Sequence, residues 1–296
     1  MIELSFPNSR AVVLGGGGAL GAGWQTGLLA GLERRGLRLS DADVVIGTSA
    51  GAISGARNRL GMDPTSFFPM LLRFAATIRS GVDEARIGEM FKAVREASGA
   101  ADPEAWRKAI GRAVAEAVTA SEDVYLDVFS SMVAREWPAG FVCTAVDIDS
   151  GEFRAWDAHS GVDLGRAVAA SCAIPAVSPA VTVDGDRCMD GGLRGSLNAG
   201  LAAGASRVIA ISCQPLPPPT GQGSPLPGSE RDRAELVELR EGGSRVETVE
   251  PGEDFWRFAS GPMGMMDISH AESAIAAGLA QAEREHDRLA SAWSTG

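Results

Sequence analysis

Short apolar runs alternate with stretches of helical spacing along the chain, and turn residues punctuate them. Ala11-Val12-Val13-Leu14 is an apolar run ending in Gly15-Gly16-Gly17-Gly18-Ala19-Leu20-Gly21, after which Leu28, Leu29 and Leu32 set a helical period over Trp24 to Glu33. This predicts a strand, a glycine loop and a helix. Asp43 and the run Val44-Val45-Ile46 predict a second buried strand, which enters Gly47-Thr48-Ser49-Ala50-Gly51 and then a small-residue helix over Ala50 to Leu60. From 63 to 133 the pattern is mostly helical. Phe67, Met70, Leu71, Phe74 and Ile78 share one face, and further helices are expected over Ile87 to Ala97 and Pro103 to Val118. Such stripes read first as core packing, and alternatively as a cap whose Met62, Phe67, Phe68, Met70 and Phe91 line an acyl pocket.

Gly140 to Ile148 reads as a buried strand, paired as a hairpin with Glu152 to Trp156 around Asp149-Ser150-Gly151. A short helix over Leu164 to Ser171 stops at Cys172-Ala173-Ile174-Pro175. A second hairpin joins Val181-Thr182-Val183 to Arg187-Cys188-Met189 around Asp184-Gly185-Asp186 and leaves through Asp190-Gly191-Gly192. A short helix over Leu197 to Ala203, a strand over Arg207 to Ser212, a Pro/Gly-rich surface loop over about 214–230, a helix over Arg231 to Arg240 and a strand over Ser244 to Val249 follow. Gly261 to Gly264 is a loop, and an amphipathic helix over about 269–292, capped by Asp267 or Ser269, ends the pattern. The alternation predicts an α/β fold in one domain over 1–296, interrupted by the helical block.

Composition narrows the function classes. With 45% hydrophobic and 22% charged residues the chain is that of a globular protein. A net charge of −11 disfavours nucleic acid as a partner and gives no general attraction to anionic lipid. No apolar run approaches the roughly 18 residues that span a bilayer, and Met1 to Arg10 lacks the basic start and apolar core of a secretory leader. The expectation is a cytoplasmic protein with at most transient membrane-surface contact. Cys143, Cys172, Cys188 and Cys213 show no C-x-x-C spacing, so they read as small buried hydrophobes; neither a metal nor a cofactor is expected.

Candidate chemistry centres on Gly47-Thr48-Ser49-Ala50-Gly51. A serine hydroxyl is a weak nucleophile, and a strand-to-helix turn of the G-x-S-x-G type projects it clear of the backbone at a helix N-terminus that favours negative charge. Ser49 is the candidate nucleophile. The first loop has two readings. Gly16, Gly18 and Gly21 spell G-x-G-x-x-G, a dinucleotide signature, with Asp41 or Asp43 at about the right spacing, although Asp43 precedes the second strand where the ribose-binding acid should end it. The other reading is an oxyanion hole built from unshielded amides of Gly16, Gly17 and Gly18. Asp190, at a strand end before two glycines, is a candidate for a rigidly held carboxylate. His159, His270 and His286 are the only histidines, and Ser49, Asp190 and His270 stand in the chain order of a hydrolase triad.

Taken in order, the loop Gly15 to Gly21, the elbow at Ser49 and Asp190-Gly191-Gly192 resemble the patatin-like phospholipase family, as does Ala170-Ser171-Cys172-Ala173-Ile174-Pro175 leading to the aspartate. The resemblance spans roughly residues 10 to 213. It implies a three-layer α/β/α fold with a central mostly parallel sheet and a helical insertion after the nucleophile helix. It also implies a lipid acyl-ester hydrolase of phospholipase A, lysophospholipase or carboxylesterase type, with Ser49 and Asp190 as a dyad working through an acyl-enzyme and the Gly16 to Gly18 amides holding the oxyanion, without metal. The family's loop often carries Arg or Lys where this chain has Leu20, which keeps a neutral ester beside a phospholipid as the expected substrate. The rival classes are a non-catalytic lipid-binding or regulatory protein of the same fold and a glycine-loop nucleotide-binding protein.

Overall fold

A computed structural model describes residues 8–79, 110, 119–133, 136–175, 177–216, 228–259 and 264–294. The expected helices over 87–97 and 103–118 (apart from residue 110), Phe91 and most of the Pro-rich loop lie outside the described residues, as does the side chain of Ile78.

Five parallel strands form the centre of the sheet. β1 (Arg10–Leu14) lies between β2 (Val44–Gly47) and β7 (Arg207–Ile211), with β3 (Phe141–Asp147) beyond β2 and β8 (Arg245–Val249) beyond β7. The two expected hairpins supply the antiparallel part: β4 (Phe153–Trp156) pairs with β3, and β5 (Val181–Val183) with β6 (Asp186–Asp190).

The register of β3 determines where the chemistry can sit. β4 runs along one edge of β3, opposite both Cys143 and Ala145. The other edge is shared, because β2 pairs Gly47 with Cys143 and β6 pairs Asp190 with Ala145. β2 arrives parallel and β6 antiparallel, so the two strands end facing each other with only Thr144 between their registers.

Side chains alternate across the strands and make two cores. Val12, Leu14 and Val45 enter one cluster, whereas Ala11, Val13, Val44 and Ile46 enter the other. Helices α1 (Gly18–Arg34), α2 (Ala50–Arg59), α3 (Phe67–Arg79), α4 (Glu122–Met132) and α5 (Leu164–Ser171) cover the first face. The opposite face is covered by α6 (Ser229–Glu241) and a 3-10 turn over Ala199–Ala202, where the sequence suggests a longer helix. The short α7 (Glu253–Trp256) and the long α8 (Ala271–Trp293) return to the first face, giving helices, mostly parallel sheet and helices in three layers.

α1 begins at Gly18, six residues before the predicted start at Trp24. Glycine is a poor helix former, but packing overrides propensity here. A Cβ on Gly27 would stand 2.1 Å from the Ile275 carbonyl oxygen of α8, and one on Gly278 would stand 2.1 Å from the Trp24 carbonyl oxygen. The helices thus meet backbone to backbone, and the buried Trp24 indole donates to Gln281 Oε1 at 3.0 Å. In the helical block Phe67, Met70, Leu71 and Phe74 are buried, as core packing requires. Arg57, at the far end of α2, donates to the Met132 carbonyl and to Ser66 Oγ, fastening that block to the nucleophile helix. No helix among the described residues is long and apolar enough to cross a membrane.

Candidate active site

Ser49 stands between β2 and α2 with φ 54° and ψ −117°, a conformation that a non-glycine residue adopts only when its surroundings impose it. The flanking glycines allow the turn. A Cβ on Gly47 would lie 2.5 Å from the Gly51 carbonyl oxygen, and one on Gly51 would lie 2.0 Å from that of Leu14. Ser49 is the N-cap of α2, so its side chain sits at the positive end of the helix.

Asp190 ends β6 across the Thr144 gap, and Ser49 Oγ donates to Asp190 Oδ2 at 2.7 Å. The other carboxylate oxygen accepts the Gly192 amide at 2.8 Å, and the Asp190 amide donates to the Ala173 carbonyl at 2.9 Å. Both side chains are nearly enclosed, each residue 7% exposed. Burial raises the Asp190 carboxyl from 3.8 to about 6, opposed by the hydrogen bonds from Ser49 and Gly192. A carboxylate so placed is a stronger base than a solvated one and is bonded to the hydroxyl it would deprotonate.

Beneath this pair runs a buried polar network. Thr48 Oγ1 and Thr144 Oγ1 are 2.8 Å apart, and Asn198 Nδ2 donates to Thr48 Oγ1, at 3.1 Å, and to the carbonyls of Gly191 and Gly195. Asn198 is itself in the left-handed region, φ 54° and ψ 41°. The residue before Ser49 is thereby tied to the residue after Asp190.

The glycine loop lies over the same place. A Cβ on Gly16 would come within 3.3 Å of Ser49 Cβ, and one on Gly17 within 2.3 Å of the Cβ of buried Cys213. The Gly16 amide, expected among the oxyanion donors, donates instead to the Ser196 carbonyl at 3.0 Å. Ser196 is fixed in turn by Asp232, whose buried carboxylate, raised to about 6 chiefly by desolvation, accepts the Ser196 and Leu197 amides. The Gly17 and Gly18 amides have no acceptor among the described residues, nor does that of Ala50 at the first position of α2. Leu20, the departure from the basic residue of the family's loop, is 0% exposed within the apolar core, and its amide donates to the Met265 carbonyl at 3.0 Å. That position serves packing in this chain.

The competing constellations come apart. None of the three histidines reaches Asp190: His270 stacks on Phe258 at 5.5 Å, His286 bonds Asp287 and the Arg35 carbonyl, and His159 lies on an exposed loop. Asp43 accepts the Arg10 amide at the start of the strands, the opposite end of the sheet from the glycine loop, so it cannot serve a nucleotide there. All four cysteines are free and buried, their thiols held protonated by desolvation. Sequence reading does not single out Thr144, Ser171, Asn198 or Asp232, because each acts through space on a residue far away in the chain.

The model of the patatin-like phospholipase family matches residues 12–203, well over half of the chain, and the protein belongs to that family. It is therefore a member of a family of lipid hydrolases. No curated protein matches the chain. Among solved structures it is similar to VipD from Legionella pneumophila, at 14% identity over 95% of this chain and 68% of that one, with a TM-score of 0.43. It is also similar to the type III effector protein ExoU, at 20% identity over 94% of this chain and 54% of that one, with a TM-score of 0.37. The complex of full-length SpcU with full-length ExoU from Pseudomonas aeruginosa matches at 17% identity over 98% and 54%, with a TM-score of 0.40. The chain thus spans about half the length of ExoU.

Proposed function

We propose that the protein hydrolyses carboxylic esters of lipids through a Ser49–Asp190 dyad and an acyl-enzyme. The observation that carries this reading is the 2.7 Å hydrogen bond from Ser49 Oγ to an enclosed carboxylate. Asp190 takes the hydroxyl proton as Ser49 Oγ attacks the ester carbonyl. The carbonyl oxygen becomes negative against the Gly17 and Gly18 amides and the N-terminus of α2, with Gly16 shaping the loop rather than donating. Collapse of the tetrahedral species breaks the bond to the alcohol, which leaves with the proton from Asp190. Water then gives a proton to Asp190, attacks the acyl carbon, and releases the fatty acid as Ser49 recovers its hydrogen. Every proton in this cycle passes through one carboxyl group, and none requires a histidine.

Intact-mass measurement after exposure to a fluorophosphonate tests the nucleophile. One adduct on the wild type and none on Ser49→Ala is the expected result; equal labelling of the two proteins would refute the assignment. Hydrolysis of p-nitrophenyl esters of graded chain length then sizes the acyl pocket.

The acidity of Asp190 supplies a second test. The carboxyl must be ionised to accept the serine proton, and it sits at about 6. kcat/KM is expected to be level above that pH and to fall about tenfold per unit well below it. A profile that stays flat down to pH 4 would remove Asp190 as the base.

A further inference from the structure

The end of α5 touches both members of the proposed dyad. The buried Ser171 hydroxyl accepts the Ser49 amide at 2.9 Å, and the Cys172 thiol donates to the Ser49 carbonyl, in the next peptide unit, at 3.2 Å. That carbonyl also receives the Ala52 and Ile53 amides of α2. One residue further on, the Ala173 carbonyl accepts the Asp190 amide at 2.9 Å. The clamp is itself anchored, since buried Tyr125 of α4 donates its hydroxyl to the Cys172 carbonyl at 2.8 Å.

We propose that Ser171 and Cys172 are positioning residues that hold the left-handed backbone of Ser49 in its reactive conformation and, with Ala173, set the separation of Ser49 from Asp190. The proposal rests on the hydrolase reading above, and it adds a requirement that reading does not contain. A serine at φ 54° relaxes toward ordinary backbone unless both of its peptide groups are held. The α2 amides hold the carbonyl, but among the described residues only Ser171 holds the N–H. Without the Ser171 hydroxyl, that buried amide can find a partner only by turning the peptide, which swings Oγ away from the carboxylate.

The test uses Ser171→Ala with Ser171→Thr as its rescue, since threonine keeps the hydroxyl. In the full-length protein Ser171→Ala is expected to slow fluorophosphonate labelling of Ser49 by about 10- to 100-fold. The same variant should lower kcat similarly while KM for a p-nitrophenyl ester changes less than about threefold. Deuterium uptake in the peptide carrying Ser49 should accelerate by at least about tenfold, with Ser171→Thr recovering most of each effect. Labelling and exchange at wild-type rates in Ser171→Ala would overturn the proposal. Should the wild type itself fail to label, the hydrolase reading fails, and the exchange comparison alone still decides whether the clamp exists. If Ser171→Ala does not fold, Ser171→Cys replaces it, since a thiol is a weak acceptor: slower labelling and faster exchange than in Ser171→Thr are expected, and identical rates in the two would overturn the clamp.

Discussion

Asp190→Asn is expected to lose turnover by about 10²- to 10⁴-fold, the range of a removed general base, while becoming more resistant to unfolding at neutral pH. Both effects come from the same burial. The folded carboxyl sits at about 6 against an ordinary 3.8, so between those values the native state binds more protons than the unfolded chain. Stability contributed by this group therefore declines as pH rises from about 4 to 6, and above 6 the ionised carboxylate costs the fold about 2–3 kcal/mol. Asparagine keeps the shape, can still accept the Gly192 amide, and carries no charge to desolvate. Thermal unfolding at pH 7 should shift upward by several degrees in the variant, and the advantage should vanish below pH 4, where the aspartate is neutral in both states. Retained turnover would contradict the mechanism; a lower midpoint at pH 7 would contradict the electrostatics.

Gly27→Ala is expected to destabilise the protein by about 2 kcal/mol or more, although alanine is the better helix former by up to about 1 kcal/mol. The clash wins because the atom met at 2.1 Å is the Ile275 carbonyl oxygen, which belongs to the backbone of α8 and cannot rotate aside. Gly23→Ala, one turn earlier on α1, reverses the sign. Its Cβ would meet the Ala271 carbonyl oxygen at 3.4 Å, an ordinary contact, so helix propensity decides and the variant should be neutral or slightly stabilised. Denaturant midpoints of the two variants test the ordering, and a tolerated Gly27→Ala would mean that α1 and α8 can separate without loss.

What was legible in the sequence was local. The buried strands over 11–14, 44–46, 141–147 and 207–211 announce themselves as apolar runs, and the elbow and both hairpins by their glycines. The early start of α1 was hidden because its causes lie far along the chain: Met265 and Cys213 crowd Gly18 and Gly21, and α8 crowds Gly27 and Gly31, against the local preference for a loop. Gly16 shows the same limit. Four glycines in a row mark an unshielded loop, but which amide is already committed depends on the Ser196 carbonyl, and that is positioned by Asp232 on a distant helix. The Ser171 clamp was equally hidden, since a serine ending a short alanine-rich helix has no local signature of holding another residue's amide.

β1 opens the described fold yet gains its second neighbour only from β7, and the helix that follows it is sealed by α8, whose Gln281 meets Trp24 across 257 residues of chain. The glycine loop has walls on both sides only once Ser196, Ile211 and Met265 have come to it. Such distant pairings carry the loop-closure entropy that must be met before non-local contacts are rewarded. Ser49 and Asp190 alone therefore do not make the site, because the loop beside them is completed by elements far along the chain.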